Sequence, residues 1–147
     1  MLKDARLRLE DLLDREIELA RALTATLAAE RTSLTGDSPH AVEQNSAEKI
    51  RVLQSIEKLE EERRALYAGP VNFSLGATVM ERWRALMALM AGCRTANDVN
   101  GHIIHVRQHQ IRQLIEIVRG GPAGGPAVTY DSHGKTFAKA LRALARA

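Results

Sequence analysis

Residues 3 to 35 contain neither glycine nor proline, and within them Leu9, Leu13, Ala20, Leu23, Leu27 and Leu34 fall within about 40° of one line when the run is wound as a helix. A breaker-free run of this length with one apolar stripe is a long helix that must bury the stripe against partners of similar length. Glu16 lies in the stripe, where a carboxylate pairs with a neighbouring arginine or sits at an edge. Gly36 stops the helix, and Asp37-Ser38-Pro39 starts another, with Ser38 as the cap and Pro39 at the first helical position. So short a link sends the second helix back antiparallel to the first.

That second helix is expected from Pro39 to Ala68, with Val52, Ile56, Leu59 and Leu66 on one stripe, Arg63 among them, and Gly69-Pro70 as its stop. The charge run from Glu57 to Arg64 reads as a solvated face laced by pairs four residues apart. After a connector over 71–77, a third helix is expected from Thr78 to Arg119. Its start carries a capping-box spacing, Thr78 with Glu81, and its end carries Arg119-Gly120-Gly121, a cation followed by glycines able to take a left-handed stop. Met80, Trp83, Met87 and Met90 recur at helical steps. Beyond Gly101 the positions Ile103, Val106, Ile111, Leu114, Ile117 and Val118 cover roughly half the circumference, a breadth that predicts two neighbours for this helix.

Asn100-Gly101 admits two readings. As a turn, it divides the run into two helices of about 20 residues each. As a helical pair, its glycine is kept because a neighbouring helix approaches closely and the asparagines bond across the contact. Length favours the second reading, since an unbroken helix of about 40 residues, roughly 60 Å long, matches the first two along their whole length. The expected architecture is all-α: three long antiparallel helices (3–35, 39–68, 78–119) in an elongated coiled-coil-like bundle spanning 1–119. A kink or break near Gly101 is the alternative.

Residues 120–147 differ in kind. The stretch Gly120 to Pro126 is a flexible Gly/Pro linker, and with no GKS or GKT after it and no strand before it, it is not a phosphate cradle. The last residues form a short amphipathic helix, with Phe137, Ala140, Leu141 and Leu144 on one side and Lys135, Lys139, Arg142 and Arg146 opposite. The chain's net charge of +3 is a property of this tail, because no acid follows Asp131. A helix of about three turns is marginal alone in water, so it either docks on its own bundle or stays loose until a partner covers it. Weak contact with nucleic acid or an acidic membrane is a third use. Without a base-stacking platform, specific nucleic-acid readout is not expected.

Chemistry is sparse. His102, His105 and His109 share the polar side with Arg112, Glu116 and Arg119 but lack the placement of a metal site, and Cys93 reads as a small packing residue. No GxSxG and no P-loop occurs, so neither catalysis, a metal nor a cofactor is expected. A single cysteine excludes an intramolecular disulfide, no apolar run approaches the ~20 residues of a membrane span, and no secretory leader opens the sequence. Cytoplasmic residence is the expectation.

Taken in order, Glu30 with Leu34, Glu48-Lys49, the repeat ending in Glu62-Arg63-Arg64, Glu81-Arg82-Trp83, Asn97-x-x-Asn100-Gly101 and Tyr130-x-x-x-Gly134 resemble the FlgN family of flagellar export chaperones. The family often has Tyr-Gly where this chain has Tyr130-Asp131. The resemblance implies a cytoplasmic, non-catalytic chaperone for hook-associated junction proteins, bound through their terminal helical segments and delivered to the flagellar type III export apparatus. It places client binding in the C-terminal region and an export-gate or second partner contact at Tyr130 and Gly134; the apolar side of the tail helix, Phe137, Ala140, Leu141 and Leu144, is then the expected client contact. Trp83, Asn97, Asn100 and Gly101 are then expected to hold the bundle together. A structural coiled-coil adaptor that self-associates, and a basic regulator binding nucleic acid through the tail, are the competing readings.

Overall fold

The computed structural model describes residues 2–67 and 76–120, and these form three helices: α1 (Leu2–Thr35), α2 (Pro39–Tyr67) and α3 (Ala77–Val118). The three-helix bundle expected from the sequence is what the described residues adopt, with boundaries within a residue or two of those read from the stripes, while the amphipathic tail helix expected after Gly120 lies outside them. Ser38 caps α2 as its position predicts, its Oγ accepting from the Ala41 amide at 3.2 Å. No strand occurs among the described residues, and none of their helices is long and apolar enough to cross a membrane.

The helices run up, down and up. Asn45 and Lys49 of α2 bond to Ala29 and Glu30 of α1, while Arg63 bonds back to Glu16, so α2 descends along α1. Between α1 and α3 every cross-helix bond links residues 68–73 apart in sequence, a near-constant offset that makes those two helices parallel.

α1 is the middle element. Its stripe of Leu9, Leu13, Ala20, Leu23, Leu27 and Leu34 is buried, and Leu12, Ile17 and Glu30 widen it because both other helices pack on α1. Toward the start of α1 the core holds Leu9, Leu13 and Ile17 with Val79 and Leu86 of α3, and Leu66 and Trp83 pack at its edge. Further along, Leu23 and Leu27 meet Val52 of α2 and Cys93 of α3. Burying each such leucine contributes about 1.5–3 kcal/mol, which the propensity of an isolated helix does not supply.

Three expectations for α3 need correction. Thr78 and Glu81 do not cap it: the helix starts one residue earlier, Gly76 stands at the N-cap with no side-chain cap bond, and its carbonyl accepts from the Met80 amide at 3.1 Å. The Arg6 guanidinium of α1 lies against Gly76, close enough that a side chain there would displace it. The broad apolar face beyond Gly101 is not shared between two neighbours: Val106, Ile111, Ile117 and Val118 are exposed among the described residues. Nor does a neighbour press on Gly101, since a Cβ there meets nothing within 4 Å.

α3 nonetheless continues as one helix through Asn100-Gly101, and its stop is the expected one, with Gly120 at φ 75° in the left-handed region. Because Gly101 is solvent-facing and sterically free, Gly101→Ala is expected to stabilise the chain by about 0.5–1 kcal/mol, read as a raised urea midpoint with unchanged slope.

Candidate functional site

Two buried polar joints fix the register of the bundle, and each draws one residue from each helix. In the first, the Glu16 carboxylate of α1 accepts from Arg63 Nε of α2 at 2.9 and 3.2 Å, and the guanidinium carbon of Arg63 lies 4.8 Å from the centre of the Trp83 ring of α3. Glu16 is 3% exposed and Arg63 is 9% exposed. Burial pushes the Glu16 carboxyl above the ordinary carboxylate range, and the neighbouring Arg63 pulls it only part of the way back. The guanidinium serves both partners, its Nε donating to both carboxylate oxygens while the delocalised cation lies over the aromatic face.

The second joint lies two heptads along α1. Glu30 accepts from Lys49 Nζ of α2 at 3.1 Å and from Asn100 Nδ2 of α3 at 2.8 Å, and the same amide nitrogen also donates to the Leu27 carbonyl at 3.0 Å. Asn100 is 1% exposed, and its Oδ1 has no hydrogen-bond partner. A polar residue at a core position costs stability and is satisfied in one alignment only, so the joint specifies register. Nearer the base, Arg82 of α3 reaches Asp14 at 2.7 Å and Glu10 at 3.7 Å, and the bond to Asp14 holds its guanidinium above the ordinary arginine value.

The residues singled out from the sequence separate clearly. Trp83 and Asn100 stand in the joints, whereas Asn97 and Gly101 are exposed on α3. Glu16 and Arg63, read as seam charges, pair with each other. Lys49 and Glu30 entered only through the family motif; a carboxylate at the same heptad phase as Glu16 was the signal that pointed to Glu30. Tyr130, Gly134, Phe137, Ala140, Leu141 and Leu144 lie outside the described residues.

The joints also decide where α3 ends relative to the hairpin. With Glu30 and Asn100 paired 70 residues apart, the level of Thr35, the last residue of α1, falls near His105. Some twelve further residues, about 18 Å of helix, therefore run past the tip formed by Gly36, Asp37 and Ser38. On that extension Ile111, Ile115, Ile117 and Val118 are exposed and Leu114 is half-buried, while His102, His105 and His109 are exposed along the same helix. Among the described residues no group of three His, Cys, Asp or Glu side chains is placed to hold a metal ion. A groove of about 560 Å³ between α1 and α2 mixes Asp14, Glu18 and Glu62 with Arg15 and Lys58 around Leu19.

Among the described residues the candidate site is a surface rather than a pocket: a third helix that runs past the hairpin tip with an exposed apolar face. No curated protein and no solved structure matches the chain. A family model described as FlgN protein matches residues 1–137, nearly the whole length. The chain belongs to the FlgN family, a family of flagellar export chaperones.

Proposed function

We propose that this chain is a cytoplasmic, non-catalytic export chaperone that binds the terminal helical segments of hook–filament junction proteins, keeps them from assembling early, and delivers them to the flagellar type III export apparatus. Family membership over residues 1–137 carries the reading. The physical mechanism is shielding: a client segment with an apolar helical seam self-associates in proportion to its free concentration, and a chaperone that covers the seam lowers that concentration by mass action.

In this reading the described helices form the rigid part, and Phe137, Ala140, Leu141 and Leu144 bury against the client. Tyr130 and Gly134 make the contact with the export gate or a second partner. The basic face of Lys135, Lys139, Arg142 and Arg146 stays in water and steers acidic surfaces toward the tail.

Replacing Leu141 and Leu144 together by Asp is expected to weaken client binding by on the order of 100-fold, the scale of losing two buried anchors. Far-UV circular dichroism should stay nearly unchanged. Binding measured by calorimetry at ~150 mM salt checks the effect, because purely electrostatic contact fades there. Unaltered affinity of the double variant would move client binding off the tail.

A further inference from the structure

The side of α3 that packs on α1 is buried at Val79, Leu86, Cys93 and Asn100, at intervals of seven residues. Continued at the same interval, the seam reaches Arg107 and Leu114, with Ile111 and Val118 beside them, beyond the end of α1. The seam thus outlasts the helix that fills it. Resting on the chaperone reading above, we propose that this continuation docks an amphipathic helix of the client that lies over the hairpin tip in line with α1 and places a carboxylate opposite Arg107.

Charge selects this occupant. Inside the bundle each seam carboxylate has its cation: Glu16 meets Arg63, and Glu30 meets Lys49. Arg107 stands half-buried at the same seam phase with no ion-pair partner among the described residues. Arg112 and Arg119 flank the apolar face on one side, with Glu116 as the sole acid on the extension. A second copy of this helix would bring three arginines and one glutamate against the same set, a net repulsion between two cationic surfaces. The chain's own tail is no better matched, because it carries Lys135, Lys139, Arg142 and Arg146 and no acidic side chain after Asp131. An acidic amphipathic helix alone satisfies both the apolar face and Arg107.

The test uses the full chain and two synthetic helical peptides with leucines in a heptad seam, one flanked by glutamate and the other by lysine, alongside a junction-protein terminal segment. The glutamate peptide is expected to bind and the lysine peptide to bind at least about tenfold more weakly. Ile111→Asp with Leu114→Asp should abolish binding of the glutamate peptide, and Arg107→Glu should weaken it on the order of 30-fold while improving the lysine peptide. These positions are exposed or half-buried, so thermal melts should show the variants folded. Equal binding of both peptides, or indifference to all three substitutions, overturns the proposal. So does a dimer of the unmixed protein that the substitutions disperse, since a second copy then covers the seam. A junction segment that binds the Ile111→Asp, Leu114→Asp variant as tightly as the parent overturns this docking site and leaves the chaperone reading standing. Binding of the glutamate peptide without any junction segment does the reverse.

Discussion

Arg63→Met is expected to destabilise the chain by about 3–5 kcal/mol at neutral pH, because it strips the cation from a carboxylate that is 3% exposed and removes the guanidinium from the Trp83 face. The loss should depend on pH in a definite direction. Burial already holds the Glu16 carboxyl above its ordinary value, and Arg63 is what opposes the shift, so removing Arg63 raises it further. A group with a raised folded-state pKa contributes stability that is fully present below its unfolded value and is lost as pH rises through the folded value. The deficit of Arg63→Met should therefore be largest at pH 7 and shrink on acidification toward the ordinary carboxylate range, where Glu16 is buried neutral. Urea titrations of parent and variant across that range read it directly. Removing both charges, with Glu16→Leu and Arg63→Met together, should recover most of the loss, since a desolvated ion pair is readily matched by packed apolar groups. A neutral-pH cost under about 0.5 kcal/mol for Arg63→Met would remove this joint from the account of register.

Asn100→Asp is the second large effect. Nδ2 of Asn100 donates to Glu30 at 2.8 Å and to the Leu27 carbonyl at 3.0 Å, and the position is 1% exposed. Aspartate would set a second carboxylate against the first and replace a donor by an acceptor facing a carbonyl. Lys49 alone would have to balance two negative charges. The expected loss is about 3–5 kcal/mol at neutral pH, relieved as acid protonates one member of the pair. Asn97→Asp, three residues earlier on the exposed side, should stay within about 0.5 kcal/mol. The contrast separates two asparagines that look alike in the motif.

Much of the bundle was legible because it follows from local rules. Helical spacing placed the buried stripe of α1, and a three-residue link dictated the hairpin. Glu16 and Arg63 each stand out as a charge within an apolar stripe, open to pairing or to an edge position, and the structure pairs them with each other. What stayed hidden depends on residues far apart in sequence. α3 starts at Ala77 with Gly76 as its N-cap and the Arg6 guanidinium of α1 against it, and nothing in Thr78-x-x-Glu81 reports on Arg6. The close helix approach expected at Gly101 is absent from its surroundings, since periodicity does not say which flank of a helix a neighbour takes. The breadth of the apolar face after Gly101 predicts two intramolecular neighbours, and the exposed Val106, Ile111, Ile117 and Val118 show that it does not have them. Only the α1–α3 offset shows that α1 ends near the level of His105. For the surface offered to partners, the sequence was informative about apolar and basic character but silent about which helix would be left uncovered.

The most direct test of the chaperone account is light scattering coupled to size-exclusion chromatography of the full chain mixed with the terminal helical segment of a junction protein. The account predicts a defined complex of constant mass across the peak, with the junction segment no longer self-associating. A folded full-length chain that elutes apart from several such segments, each still self-associated, would contradict it.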